Sequence, residues 1–192
     1  AVLNDDFAGT TFSGDSGFET TIQFELVAVN YVQSNDWYTD AGPRAASEFK
    51  SSLVKRPQEQ INIYTNDAGG SGVLGYATLP AGQAGTDDDG VVMLHNTIGG
   101  RNNGFGNYNQ GRTLVHEVGH YLGLLHTFDG GVCSNTYTSQ DLIVDTPAQS
   151  SPDYGSSAST DCGVTSAIEN FMNYSVDSAM YTFTEEQTNR MI

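Results

Sequence analysis

The sequence predicts a single α+β domain, and three observations carry that expectation. Strand-like runs at 20–32, 61–64, 73–79 and 91–95 alternate with helical patterns at 1–8, 43–53 and from 112 onward. After residue 126 the chain changes character: 129–166 is rich in Gly, Ser, Thr, Asp and Pro and predicts little regular structure. At 192 residues the chain fits one domain, at most one with two lobes across a cleft.

Residues 1–8 read as the end of an amphipathic helix with Val2, Leu3 and Phe7 on one face. The stretch 9–17 is glycine- and serine-rich loop. Ile22, Phe24, Leu26 and Ala28 alternate with polar neighbours, which predicts a strand over 20–32. A turn region follows at 35–43, and Pro43 opens a helix to Leu53 with Ala46, Phe49 and Leu53 inward. Short strands are expected at 61–64 and 73–79, separated by a turn at 66–72, the second stopped by Pro80. The loop 81–90 carries Asp87, Asp88 and Asp89, read as solvated surface. The apolar run 91–95 reads as a buried strand, with His95 structural or on the surface, and 99–109 is turn-rich. A closing helix over 183–191 has Thr184 as N-cap and Glu185 and Glu186 in its first turn.

The formal charge of −16, from 23 acids against 7 bases, excludes nucleic acid and anionic membrane as partners. No apolar run has the length of a membrane span. No charged start precedes an apolar stretch, so the chain reads as a mature, processed form. Much Gly, Ser, Thr and Asn with little Lys suits a secreted protein, and a monomer is expected. Cys133 and Cys162 are expected to pair, which stabilises by about 3–4 kcal/mol in the loop-entropy picture. Free thiols or metal ligands are the alternatives.

Three of the four histidines fall in one stretch: His116, His120 and His126. On a helix the spacing of His116 and His120 puts two imidazoles on one face, one turn apart. Glu117, beside the first, reaches a metal-bound water without ligating the metal. Gly123 supplies a left-handed residue that ends the helix and turns the chain back, bringing His126 in as a third ligand. Three nitrogens with one open position describe a catalytic zinc site. An amphipathic helix with exposed histidines is the plain alternative, but it leaves their clustering unexplained.

With Asn170-Phe171-Met172-Asn173-Tyr174 further on, the chain resembles the metzincin metallopeptidases, whose signature is H-E-x-x-H-x-x-G-x-x-H followed by a methionine turn. Asn109-Gln110-Gly111-Arg112-Thr113, His126-Thr127-Phe128 and Asp145-Thr146-Pro147 are similar to the pappalysin group (peptidase family M43, cytophagalysin-like). The resemblance covers roughly 60–192 well and the first part weakly. It implies a two-lobed catalytic domain. A twisted mixed sheet with helices lies above the cleft (about 1–123), and an irregular lower lobe lies below it (about 124–192).

The implied activity is secreted zinc endopeptidase action on proteins or peptides, with a metal-activated water and Glu117 as general base. Tyr174 is placed by the resemblance to hold the tetrahedral oxyanion, with core packing as the alternative, and Met172 forms an apolar floor. The edge strand, here around Gly75, Tyr76 and Ala77, pairs with substrate. In the pappalysin group the region after the zinc helix holds calcium, which makes Asp141 and Asp145 candidate ligands; solvated or capping carboxylates are the alternative. Asp177, five residues beyond Met172, falls at or near the base of the pocket on the leaving side, where it favours arginine or lysine, or else caps a turn. Two other classes remain: a gluzincin-type peptidase with Glu169 as third ligand, and a non-catalytic zinc-containing binding module.

Overall fold

The computed structural model describes residues 2–10, 18–39, 46–68, 70, 72–99 and 106–192. The expected helix start at Pro43, most of the 9–17 loop and parts of the 66–72 and 99–109 turns lie outside these residues.

Helix α1 (Val2–Phe7) buries Phe7 completely. Its ring meets Phe24 at 5.0 Å and Phe183 at 5.1 Å, joining the two ends of the chain in one core. Burying one such ring contributes about 1.5–3 kcal/mol. The strand expected over 20–32 is not formed. Ile22 and Phe24 do point inward, but among the described residues no ladder partner flanks them, and Phe24 pairs its N–H and C=O with the Asn4 side chain instead. Beyond Phe24 the alternation fails, and Leu26, Val27, Val29 and Tyr31 are exposed. β-branched composition favours a strand only where another strand accepts its backbone groups.

The region read as a turn at 35–43 begins with a short helix, α2 (Asn35–Tyr38), because Ser34 accepts a hydrogen bond from the Trp37 N–H and caps it. Helix α3 (Ala46–Leu53) follows, then β1 (Ile63–Asn66), β2 (Gly75–Ala77), a helical turn α4 (Pro80–Gln83) and β3 (Val91–Leu94). The sheet order is β1-β3-β2, with β1 parallel and β2 antiparallel to β3. All four residues of β3 are buried, as a central strand covered on both faces requires. Strand β2 forms an edge of this sheet.

One of the three aspartates read as surface is not. Asp89 is buried, accepting hydrogen bonds from the Thr78 hydroxyl and the amides of Gly85 and Gly90, and so closes the loop between β2 and β3. Asp87 is exposed, and His95 is an exposed residue beside Tyr38, as expected.

Helix α5 (Arg112–Tyr121) packs beneath the sheet and is buried from Arg112 to Gly119. Arg112 pairs with Asp6 of α1 at 2.6 Å, both side chains buried. Removing one partner of such a pair costs about 3–5 kcal/mol. The helix ends in a Schellman motif: Gly123 N donates to His120 O and Leu124 N to Gly119 O, both at 2.9 Å, with Gly123 at φ +98.

From Leu124 onward regular structure is sparse, as the composition predicts. A 3-10 turn (Asp129–Gly131), a two-residue ribbon of β4 (Thr160–Asp161) and β5 (Val164–Thr165), and α6 (Glu185–Met191) are its elements. The Cys133–Cys162 disulfide is formed, with a Cα–Cα distance of 5.1 Å. Thr184 caps α6 in a capping box with Gln187. Among the described residues, no helix is long and apolar enough to cross a membrane.

Candidate active site

The amphipathic helix α5 and its glycine-ended turn decide where the three histidines go. His116 and His120 point from one face of α5, and the reversal at Gly123 returns the chain so that His126 meets them. The three Nε2 atoms form a triangle with sides of 3.1, 3.0 and 3.1 Å. His116 Nδ1 donates to Phe171 O at 2.6 Å and His120 Nδ1 to Leu124 O at 2.8 Å. A carbonyl only accepts, so the proton sits on Nδ1 and the Nε2 lone pairs of both rings point inward. Lone pairs facing one another at this distance repel unless a cation lies between them. The spacing suits nitrogens that share one ion at Zn–N bonds of about 2.0–2.1 Å, and the all-imidazole donor set suits zinc. Among the described residues this cluster contains only the three histidines, and Glu169 is not part of it.

The third imidazole is held differently. His126 Nδ1 has no hydrogen-bond partner among the described residues. Its ring stacks on Phe128 at 4.8 Å with an interplanar angle of 7°, and stands edge-on to Tyr174 at 4.8 Å. Burial and mutual repulsion hold the site neutral: burial, then the charges of His120 and His126, keep His116 well below the ordinary imidazole range. Burial first, then His120, brings His126 to about 3.

Glu117 is buried on α5, and burial alone pushes its carboxyl up to about 8. It lines a cleft of about 400 Å³ together with His116, Gly75, Tyr108, Tyr154 and Tyr174. Met172, fully buried, lies under α5, where Gly119 leaves room: a Cβ there would stand 2.6 Å from Met172 Sδ. Tyr174 is half-buried, its ring 5.6 Å from His116, and burial raises its phenol above the usual range.

Gly75 of β2 faces the same cleft. A Cβ on it would meet Glu117 Cγ at 2.9 Å and Met93 Sδ and Val92 O at 3.1 Å. Gly75→Ala is therefore expected to push Glu117 aside and lower kcat about 10²-fold, the effect of roughly an ångström of misplacement, with zinc affinity unchanged. Steady-state kinetics with a metal assay checks this, and an unaltered kcat refutes it. Tyr76 turns its side chain away from the cleft and packs with Phe49 and Val92, so only its backbone is available there. Ala77 continues the edge with its side chain against the main core.

Asp141 and Asp145, the calcium candidates, are engaged by protein donors instead. Asp141 is fully buried and accepts from Ile143 N and the Thr146 hydroxyl; burial raises its carboxyl to about 6. Asp145 is exposed and caps α6 by accepting from Glu186 N at 2.9 Å. These are turn and cap roles, and among the described residues no acidic cluster of cation-binding size includes either of them.

Asp177 does not line the cleft. It is buried at the start of α5, where Oδ2 accepts from Gln110 N at 2.7 Å and Arg112 N at 3.4 Å. Its Oδ1 is buried without a partner, and its charge is close enough to help raise the phenol of Tyr108 in the cleft wall, after burial.

Several residues were given no role by the sequence, although Asn173, Thr127 and Phe128 lie in the strings that carry the resemblance. Gln149, Asp153 and Asn173 form a buried polar cluster behind the Met172 turn, joined to the hydroxyl of Thr127. Tyr108 and Tyr154 face the cleft from loops that have no periodicity to read. Phe128 follows the third histidine, and only its neighbourhood hinted at a role.

Comparison with known proteins agrees with this geometry. The family model Peptidase_M43, described as pregnancy-associated plasma protein-A, matches residues 49–192. An extracellular metalloprotease of Colletotrichum graminicola is 39% identical, over 100% of this chain and 64% of its own length. One of Arthroderma benhamiae is 36% identical, over 99% of this chain and 61% of its own. The chain thus spans less than two thirds of these curated relatives. Mature mirolysin of Tannerella forsythia, a metzincin solved with a cleaved peptide, aligns at TM-score 0.69 and 34% identity over 80% of this chain and 60% of that one. A promirolysin variant aligns at TM-score 0.72 and 26% identity over 99% and 70%. The expected α+β metzincin-like fold is borne out.

Proposed function

Because the chain belongs to the Peptidase_M43 (pappalysin) family, we propose that it forms the catalytic domain of a secreted zinc endopeptidase. One observation carries this reading: three imidazole Nε2 atoms converge within 3.1 Å of one another beside a cleft that His116 and Glu117 line. Secretion is supported by the names of the extracellular relatives and by the disulfide.

In this reading His116, His120 and His126 would hold the zinc, which would supply Lewis-acid activation of a water and of the scissile carbonyl. Glu117 is the group on this chain that would take up a proton in the cleft and return it to the leaving amine. Its carboxyl is raised by burial and comes back toward neutrality beside a bound cation, which suits a group that must both take and give a proton. The Tyr174 phenol, kept protonated by burial, donates to the oxyanion. An extended substrate pairs with the outer edge of β2 over Gly75–Ala77, since β3 occupies the other edge. With the chain read as an upper lobe of about 1–123 and a lower lobe of about 124–192, β2 and α5 lie above the substrate and the Met172 turn below it.

On the leaving side the cleft is walled by Tyr108, Tyr154, Ser175 and Met180. Behind the Tyr108 wall, the buried and unpartnered Asp177 Oδ1 adds negative charge to this side of the cleft without lining it, which favours a basic residue there through its field rather than by contact.

Casein hydrolysis abolished by a zinc chelator and restored by zinc tests the activity; absent hydrolysis returns the chain to the binding-module class, and chelator-insensitive hydrolysis refutes the zinc dependence. Cut-site profiling in a peptide mixture tests the pocket. Asp177→Asn keeps the helix-start acceptor and removes the charge, so a preference for arginine or lysine should weaken about tenfold or more. A profile dominated by apolar residues, or unmoved by the substitution, removes Asp177 from specificity.

A further inference from the structure

We propose that Asn173 is a positioning residue that holds Tyr174 and, through Gln149 and Thr127, the backbone that carries His126 in register with the metal site. The inference rests on His126 as a zinc ligand and Tyr174 as an oxyanion donor. It goes beyond them by assigning the group that fixes both.

Asn173 lies between Met172 and Tyr174 and is 1% exposed, yet its amide is fully used. Oδ1 accepts from Tyr174 N at 2.8 Å and Asp153 N at 3.1 Å. Nδ2 donates to Ala167 O at 3.1 Å and Asp153 Oδ2 at 3.2 Å. The backbone amide that Asn173 grips is thus that of the residue whose phenol faces His116 and His126. A further contact, Nδ2 to Gln149 Oε1 at 3.4 Å, joins it to a second amide that is completely buried.

Gln149 Oε1 in turn accepts from the Thr127 hydroxyl at 3.1 Å. Thr127 is anchored by all its polar groups: its N–H donates to Met172 O at 3.2 Å, and its carbonyl accepts from Gln140 Nε2. That anchoring matters because His126, unlike His116 and His120, has no acceptor on Nδ1 among the described residues. Its ring is oriented by Phe128 and by the fixed backbone on its C-terminal side. Partners that orient a ligand commonly govern metal affinity by about 10–100-fold. Here the orienting hydrogen bonds are displaced from the ring to the next residue.

A purely structural role for this cluster would lower the melting temperature and nothing else. Positioning makes three further demands. Asn173→Ala should weaken zinc binding about 10–100-fold in competition with a chromophoric chelator. It should also lower kcat with little change in KM. Combined with Tyr174→Phe, it should lower kcat no further than the slower of the two single variants, because Asn173 acts on kcat through Tyr174. Thr127→Val removes only the hydroxyl, and should weaken zinc several-fold while sparing the Tyr174 arm. Asn173→Asp sets two carboxylates against each other, and adding Asp153→Asn restores a donor opposite an acceptor and should recover zinc affinity.

The proposal is overturned if zinc affinity and kcat stay at wild-type values in Asn173→Ala and Thr127→Val, or if the kcat losses of Asn173→Ala and Tyr174→Phe multiply. If Asn173→Ala does not fold, Thr127→Val and the Asn173→Asp/Asp153→Asn pair decide: unchanged zinc affinity in the first and no recovery in the second overturn it. Failure of the underlying reading looks different. There the wild-type chain itself binds no zinc, or Glu117→Ala still cleaves.

Discussion

Replacing Glu117 by alanine is expected to slow peptide cleavage by about 10²–10⁴-fold, the range that a positioned general base supplies, while zinc stays bound. The three imidazole nitrogens form the donor cluster proposed to hold the metal, and the Glu117 carboxylate is not in that cluster. Its removal therefore leaves the donor set intact. The carboxyl is buried with no ion pair among the described residues, and its value of about 8 reflects burial, so alanine relieves a desolvated group and should not unfold the chain. Kinetics together with metal content decide the matter. Full activity in this variant sinks the mechanism, and loss of zinc would make Glu117 part of the metal's support.

The zinc-site pattern was legible because it is local. Residues 116, 117, 120, 123 and 126 lie within eleven positions of one another, and helix geometry with one glycine-ended reversal brings the histidines together. The cap of α6 was legible for the same reason: Thr184 and Gln187 satisfy each other three residues apart. What failed was what depends on distant partners. The stretch 20–32 has strand composition, but being a strand needs a neighbour, and Phe24 found the Asn4 side chain. Carboxylates in irregular chain were equally opaque. Asp89, Asp141, Asp145 and Asp177 all accept backbone amides, and nothing in their sequence neighbourhood separates a cap from a ligand or a solvated charge. Gln149 and Asn173 meet across 24 positions in a region with no period.

The same distinction explains how the two halves of the site are held. Above, α5 is fixed by burial against the sheet and by the Asp6–Arg112 pair. Below, where regular structure is sparse, the Met172 turn is fixed by side-chain amides that stand in for ladder bonds. The Asn170 and Gln187 side chains exchange hydrogen bonds at 2.8 and 3.1 Å, tying that turn to α6. Each buried amide left unpaired would cost about 1–3 kcal/mol, so the lower half is specified as strictly as the upper.

Removing zinc is expected to end activity and lower the melting temperature strongly. An ion bound only by the folded chain stabilises it by mass action, by about 4 kcal/mol at a thousand times Kd. For a chain of this size that corresponds to about 8–16 °C. The sign of the pH dependence follows from the histidines. In the metal-free fold His116, His120 and His126 are all held below 6.5, His126 at about 3, so each stays neutral where the unfolded chain takes up a proton. Their stability contribution is present above 6.5 and is lost as the pH falls below it. Glu117 acts oppositely: raised from 4.5 to about 8, it holds a proton the unfolded chain gives up, so its contribution declines as pH rises through that interval. Between pH 5 and 6.5 the three histidines are opposed by Glu117 and by the buried carboxyls of Asp141, raised to about 6, and Asp177, also raised, so the metal-free protein should lose stability on acidification, but by less than the histidines alone would cause. Thermal unfolding of chelated and zinc-loaded protein at pH 5 and 7.5 measures both effects. A melting temperature indifferent to zinc, or a metal-free protein more stable at pH 5 than at 7.5, would show that these imidazoles do not form the metal centre.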